Sequence, residues 1–306
     1  MNVPALYALT VLIWGTSWFA VRLQLGVVHP VISVGYRFLL AAAVLFGWCA
    51  LRGLRLRFSL RDHLFLALQG VLLFSLNHIA LYISIGYMTS GLAAVAFSTI
   101  VLMNISFGAL LFGTPVRPRI VAAGVIGVVG LGFVFAREIA GFDLTSRGAI
   151  GLGLAIFATA LASLGNMAVV RNQRAGIPLM PGNALSMAYG CLATFALALP
   201  FGFELRFDPS PSYVISLAYL VLIAGIVAFS AYLTLIGRIG ADRAAYSSVL
   251  FPIVALGVST LFEGYTWTLS GGLGVALILL GNVVALMPVR APAQRAGAAG
   301  RLETQA

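Results

Sequence analysis

Residues 14–22, Trp14-Gly15-Thr16-Ser17-Trp18-Phe19-Ala20-Val21-Arg22, are answered 149 positions later by residues 163–171, Ser163-Leu164-Gly165-Asn166-Met167-Ala168-Val169-Val170-Arg171. The same offset carries Phe97-Ser98-Thr99 onto Tyr246-Ser247-Ser248, and Leu131-Gly132-Phe133-Val134 onto Leu280-Gly281-Asn282-Val283. Each match is weak alone. One offset that holds along the whole chain is hard to obtain by chance, even in stretches rich in Leu, Ala and Gly, and it reads as an internal duplication.

Composition sets the medium in which the duplicated unit folds. Of 306 residues 61% are hydrophobic and only 8% charged, whereas a soluble domain carries about 25% charged residues. A helix crossing a bilayer needs roughly 20 apolar residues, because every backbone amide must be bonded inside the segment. Ten runs qualify: 4–21, 31–51, 63–86, 91–112, 119–136, 149–170, 183–203, 213–236, 244–262 and 269–288. The weakest break, residues 86–91, has no charge, but the offset sets it beside the loop at residues 237–243. The expected fold is an all-α membrane protein of ten transmembrane helices. Five spans per half is an odd number, so the second half enters the membrane from the other side. Two inverted five-helix repeats follow, over residues 1–140 and 147–290, with a disordered basic tail at 291–306.

Charge gives the orientation. The net charge of +10 comes with no lysine at all, and the arginines lie mostly in short gaps between apolar runs. In a soluble chain such a charge would suggest nucleic acid; here it reads as topology, with no nucleic-acid partner. With the N-terminus inside, thirteen arginines fall on the cytoplasmic side and four (Arg22, Arg137, Arg147 and Arg206) on the other. Both termini are therefore expected in the cytoplasm of a bacterium, with the chain in its inner membrane. Residues 1–4 lack a positive n-region and a cleavage site, so the first run reads as an uncleaved span. Cys49 and Cys191 have neither a CxxC partner nor a neighbouring His, so no disulfide, metal site or cofactor is expected.

Polar groups inside spans are expensive and mark function. Asn77 and His78 sit one turn before Tyr82, so that His78 and Tyr82 share a face. Trp14 and Trp18 are likewise one turn apart, and their repeat counterparts Ser163 and Met167 lie beside Asn166. Phe97, Ser98 and Asn104 in the fourth span, Tyr232 in the eighth, and Tyr246 and Ser247 in the ninth complete an aromatic lining with few hydrogen-bonding groups. Such a lining suits a planar apolar body with one polar end. The substrate-binding set is Trp14, Trp18, Asn77, His78, Tyr82, Ser98, Asn166, Tyr232, Tyr246 and Ser247. The competing reading is that these aromatic and small polar residues serve helix packing alone. Tyr7 and Trp267 lie nearer span ends, and Trp267 reads as an interfacial anchor.

Arg37 is the one formal charge well inside a span, about 10 Å from the end of its helix at 1.5 Å per residue. A guanidinium there costs about 2.5–3.5 kcal/mol, and no Asp or Glu lies in any span core. Two partners stand open, backbone carbonyls at a helix C-terminus and a substrate carboxylate.

Leu12-Ile13-Trp14-Gly15, Tyr36-Arg37-Phe38, Gly240-Ala241-Asp242-Arg243-Ala244-Ala245-Tyr246 with Phe251-Pro252, Glu263, and the Gly-rich last span to Gly281-Asn282 resemble the drug/metabolite transporter superfamily. The likeness is to its ten-helix EamA-domain exporters, covers residues 3–290, and is nearest to the YddG-type exporters of aromatic amino acids. The resemblance implies a basket of helices around a central cavity, lined mainly by spans 1, 3, 4, 6, 8 and 9, and export from the cytoplasm by alternating access. One difference between the halves is Met103 against Pro252, which predicts a kink in the ninth span only.

Absences narrow the chemistry. Span 1 has no carboxylate to hold an organic cation or a proton. A chain with no lysine and only Arg37 within a span is poorly suited to phosphorylated substrates. His78 is left as the titratable candidate for proton coupling, and a facilitated or weakly coupled mechanism is expected. The resulting expectation is an exporter of small neutral metabolites, chiefly amino acids including aromatic ones, working as a monomer in the lipid bilayer. The alternatives are an exporter of threonine-like amino acids or purine derivatives, and a non-transporting sensor or scaffold. An intramembrane enzyme would need clustered carboxylates or a His/Asp pair, which the spans lack.

Overall fold

A computed structural model describes residues 1–87, 90–116, 118–134, 136–141, 147–262 and 266–286, and among these every regular element is a helix. The helices are α1 (Val3–Arg22), α2 (Pro30–Leu51), α3 (Leu60–Tyr87), α4 (Ser90–Ser98), α5 (Ile100–Phe112), α6 (Pro118–Val134), α7 (Arg147–Arg174), α8 (Leu179–Ala198), α9 (Pro211–Ile239), α10 (Ala241–Ala245), α11 (Ser247–Phe262) and α12 (Leu269–Leu286), with one short unnumbered helix at Ala136–Ala140. Six stretches are long and apolar enough to cross a membrane: α1, α2, α3, Ala149–Arg174 of α7, α9, and Arg243–Phe262 across α10 and α11. Ala96–Phe112, Pro118–Val134 and Leu269–Gly281 are shorter apolar helices. The break expected over 86–91 falls partly on residues 88–89, outside the described residues, and the expected tail lies outside them altogether.

Local chemistry sets the helix ends. Asn2 accepts from the Ala5 amide at 3.0 Å with Pro4 in the first turn, and Ser59 and Ser210 cap α3 and α9 in the same way. The α8 helix starts four residues before the expected 183, because Pro181 sits in its first turn, where an N–H has no intrahelical acceptor anyway. It stops at Ala198, short of the expected 203, where the chain turns through Gly202 at φ 66°.

Two wide turns and two tight ones shape the interior. Gly70–Leu76 within α3 and Tyr219–Ala228 within α9 are wound with i→i+5 hydrogen bonds. They begin 149 residues apart (Gly70 and Tyr219), the spacing of the sequence repeat. The matched triplets Phe97-Ser98-Thr99 and Tyr246-Ser247-Ser248 lie where a helix tightens. Thr99 N–H donates to Ala96 O and Tyr246 N–H to Arg243 O, both i→i−3. Thr99, Ser247 and Ser248 hydroxyls donate to carbonyls three residues back at 2.6–2.8 Å. The interruption thus occurs in both halves and is a separate feature from the kink expected at Pro252. Pro252 sits inside α11, beyond the break.

Close helix contacts are made by glycine. A Cβ built on Gly130 of α6 would stand 2.7 Å from the Gly274 carbonyl of α12, and one on Gly281 would stand 2.8 Å from Ala123 O. On α8, a Cβ at Gly190 would reach within 2.7 Å of Gly70 O, at the start of the wide turn of α3. Neighbouring backbones can approach this closely only where no side chain intervenes. Arg238 donates to Met1 O at 2.8 Å, and Arg119 to Val284 O at 2.7 Å. Tyr246, just beyond α9, donates to Ile120 O at the start of α6 and joins the two pairs, so the start of α1, the end of α9, the start of α6 and the end of α12 share one face of the bundle, called here the N-terminal face. Arg171 of α7 pairs with Asp62 of α3 at 2.9 Å.

Candidate functional site

Three cavities bear on the candidate site. The central one, about 70 Å³, is walled on α1 by Trp14, Ser17, Trp18 and Val21, on α3 by Asn77, His78 and Leu81, and on α4, α9 and α11 by Phe97, Phe229 and Phe251. Arg37 of α2 closes the wall. Toward the N-terminal face a vestibule of about 360 Å³ runs past Asn104, Thr114, Gln173, Arg174 and Gly240. Toward the opposite face a third cavity, about 600 Å³, lies between the α1–α2 turn, α3 and the end of α8 and includes His29, Tyr82, Phe201 and Phe203.

The aromatic walls are mutually packed, edge to face except for the tilted Trp14–Tyr232 pair. Trp14 meets Phe229, Tyr232 and Phe251 at centroid distances of 4.7, 4.9 and 5.5 Å, and Trp18 meets Phe97 at 6.1 Å. The wide turns hold two of these side chains in place. His78 Nδ1–H donates to Leu73 O at 2.9 Å, and Trp14 Nε1–H donates to Ala224 O at 3.1 Å. Leu73 and Ala224 lie inside the two i→i+5 segments, whose altered register makes these carbonyls available to side chains. With Nδ1 as donor, His78 keeps Nε2 as an acceptor.

A hydrogen-bonded layer separates the central cavity from the vestibule. Asn104 Oδ1 accepts from Ser163 Oγ at 2.6 Å and from Asn166 Nδ2 at 3.4 Å, while its Nδ2 donates to Ala241 O at 3.2 Å. Asn166 also donates to the Tyr232 hydroxyl at 3.1 Å, and the Tyr232 ring packs on Trp14. The layer thus ties α5, α7, α9 and α10 together. On the other side Tyr82, fully buried, lines the 600 Å³ cavity while its hydroxyl lies within electrostatic reach of Arg37 in the central one. Tyr82 therefore stands between these two spaces.

Arg37 is 4% exposed, and its Nε has no hydrogen-bond partner. The described ion pairs are Arg171–Asp62 and Arg206–Glu204, so no carboxylate among the described residues faces it. Its guanidinium carbon lies 5.1 Å from the neighbouring Phe38 ring. Its Nε thus meets neither a helix-end carbonyl nor a side-chain acceptor among the described residues, and the guanidinium's near polar neighbour is the Tyr82 hydroxyl. Asn77 Oδ1 and the Tyr82 hydroxyl are also buried without a hydrogen bond of good geometry.

Of the residues predicted to bind substrate, Trp14, Trp18, Asn77 and His78 come together around the central cavity, and Tyr82 borders it. Asn166 and Tyr232 stand in the layer beside it. Ser98, Tyr246 and Ser247 are fully buried outside the described cavity walls: the Tyr246 hydroxyl donates to Ile120 O, and Ser247 to Ala244 O. Sequence reasoning left out Phe229 and Phe251, for which the repeat gives no aromatic counterpart (Ala80 and Leu102). It singled out Arg37 by charge without placing it in the binding set. His29, outside the spans, stacks on Phe203 at 3.8 Å, and burial lowers its pKa.

The model of the EamA-like transporter family matches residues 3–136 and again residues 147–287. Over 283 residues the chain is 29% identical to the "Uncharacterized inner membrane transporter YedA" of Escherichia coli K12, covering 90% of this chain and 89% of that one. It is 24% identical over 294 residues to a "Probable amino-acid metabolite efflux pump" of the same strain, covering 92% and 94%, and 22% identical over 293 residues to "Protein PagO" of Salmonella typhimurium, covering 95% of each. A crystal structure 20% identical in sequence superposes with a TM-score of 0.74 over 93% of this chain and 96% of the other, a likeness of fold.

Proposed function

This chain belongs to the EamA-like transporter family and is a multi-pass protein of the bacterial inner membrane, and we propose that it exports small amino-acid metabolites, aromatic amino acids among them. The observation that carries the proposal is the central cavity, where aromatic rings enclose a few buried hydrogen-bonding groups at Asn77 and His78. A planar ring fits among Trp14, Trp18, Phe97, Phe229 and Phe251 by edge and face contacts, and the polar end of the substrate meets α2 and α3. The name of one relative, a "Probable amino-acid metabolite efflux pump", supports the substrate class. The aromatic enclosure favours the YddG-type end of that class.

The route runs from the vestibule through the Asn104–Asn166–Tyr232 layer, into the central cavity, and past Tyr82 to the third cavity. At about 70 Å³ the central space is below the about 300–1,000 Å³ of ordinary ligand pockets. Joined to the 360 Å³ vestibule it falls inside that range. Loading therefore requires the inner layer to part while Tyr82 stays in place, and release requires the reverse, which is alternating access. We assign the chain ten spans in two inverted halves, 1–140 and 147–290, with both termini cytoplasmic and a monomer sufficient for transport. The double family match, the shared 149-residue spacing of the wide turns and the arginine distribution support this reading. A cysteine at the exposed position Leu54 is then labelled only from the cytoplasm, and one at Leu205 only from outside; the opposite pattern rejects the orientation.

The function is tested by counterflow in liposomes with a panel of twenty amino acids. Phenylalanine, tyrosine or tryptophan should exchange, and His78→Ala and Tyr82→Ala should each slow exchange by roughly tenfold, the scale of one lost buried polar contact. Absence of flux for every amino acid rejects the substrate class, and normal flux in both variants rejects the site.

A further inference from the structure

The central cavity contains a buried charge that no carboxylate among the described residues answers. Arg37 sits two helical turns below Pro30 in α2, its Nε is buried and unbonded, and it shares the cavity wall with Asn77, whose Oδ1 is also buried and unbonded. The donors of the other polar groups facing the space are already committed, Trp14 Nε1 to Ala224 O, Ser17 Oγ to Trp14 O and His78 Nδ1 to Leu73 O, which leaves His78 Nε2 as a further acceptor. Among the described residues the lining therefore presents a cationic fork and, on α3, the neutral acceptors Asn77 Oδ1 and His78 Nε2, with aromatic rings elsewhere. Buried polar groups are left unpaired where a ligand supplies the partner. A planar guanidinium is complementary to a carboxylate, which it can hold with two parallel N–H···O bonds.

We infer that Arg37 binds the carboxylate of the transported molecule, with Asn77 Oδ1 accepting a hydrogen from the ammonium on the adjacent carbon. This rests on the export reading above and sharpens it. The recognised class is a zwitterion with a free carboxylate and an apolar side chain, and the carboxylate is the feature most strongly required. Arg37 neutralises one negative charge and Asn77 none, so a carboxylic acid without the amino group keeps most of its affinity, and an amide or amine of the same body loses it.

The experiment uses purified full-length protein and follows binding by the fluorescence of the cavity tryptophans. The probes are phenylalanine, phenylalaninamide and 3-phenylpropionate. Wild type should bind the amide roughly tenfold or more weakly than phenylalanine, the scale of a charge-assisted hydrogen bond, and should bind 3-phenylpropionate within several-fold of phenylalanine. In Arg37→Met the preference for acid over amide should collapse to near unity, and in Arg37→Lys it should be intermediate. Asn77→Leu should narrow the gap between phenylalanine and 3-phenylpropionate while keeping the preference for acid over amide. Equal binding of acid and amide by wild type, or an undiminished preference in Arg37→Met, overturns the inference. If Arg37→Met does not fold, Arg37→Lys and the wild-type probe series decide. Binding of 3-phenylpropionate that depends on Arg37, in a protein that gives no amino-acid counterflow, would reject the export reading while leaving the carboxylate site standing.

Discussion

Replacing Asn104 by alanine should open the central cavity toward the vestibule. Its side chain accepts from Ser163 at 2.6 Å and from Asn166 at 3.4 Å, and donates to Ala241 O at 3.2 Å. These bonds are the part of the layer that joins α5 to α7 and α10. Interhelical hydrogen bonds in membrane proteins average about 0.6 kcal/mol. With the 3.4 Å contact discounted as long, the loss comes to about 1–2 kcal/mol, a factor of about 5–30 in the equilibrium between closed and parted layers. The vestibule reaches Asn104, so water can satisfy the orphaned Ser163 and Asn166 groups once the layer parts, and no further penalty is added. The assay places a cysteine at Ser17, on the cavity wall, in a background with Cys49 and Cys191 changed to alanine. An impermeant maleimide is then applied to inside-out vesicles. Asn104→Ala should raise the labelling rate about 5- to 30-fold, and Tyr232→Phe should raise it less, since it removes one bond and keeps the ring on Trp14. An unchanged rate in Asn104→Ala, with the protein intact by size exclusion, would refute the assignment of this layer as the barrier.

Other consequences concern packing and pH. Gly130→Val places two methyl groups where even a Cβ lies 2.7 Å from Gly274 O, so it should destabilise the α6–α12 pair by about 1–3 kcal/mol, read as a lower melting temperature in detergent. An unshifted melting temperature would mean that the two helices do not meet there. His29 caps the Val31 amide through Nδ1 at 3.4 Å, and its pKa is lowered by burial. The folded chain therefore holds the neutral form, and the contribution is complete above the unfolded value of about 6.5 and fades as the pH falls through the lowered one. The melting temperature should decline slightly between pH 7.5 and 5.5, and His29→Asn, which keeps a capping acceptor, should flatten that decline; an identical slope in the variant would exclude His29 as its source.

The sequence announced helices and the four cavity residues Trp14, Trp18, Asn77 and His78, because each is carried by apolar run length or by helical spacing. It also flagged Arg37, since a charge in an apolar run is conspicuous, but which wall α2 offers to the cavity depends on how the helices assemble. The wide turns at Gly70 and Tyr219 have no signature in apolar periodicity: GVLLFSL and YLVLIAGIVA read as ordinary spans. Yet the carbonyls of Leu73 and Ala224 orient His78 and Trp14. The triplets at Ser98 and Ser247 stand out for their hydroxyls, and those of Thr99, Ser247 and Ser248 are spent on carbonyls three residues back. A hydroxyl in a span reads alike whether it faces a substrate or its own helix, and only the fold separates the two.

The central claim is that substrate passes through the small aromatic cavity, and filling that cavity tests it most directly. Ser17→Trp adds an indole to a space of about 70 Å³ and leaves the residues of the hydrogen-bonded layer and Arg37 unsubstituted. Labelled phenylalanine should exchange across liposomes containing the wild-type protein and should fail to exchange across liposomes containing the folded Ser17→Trp variant. Equal exchange by the two proteins would contradict the account.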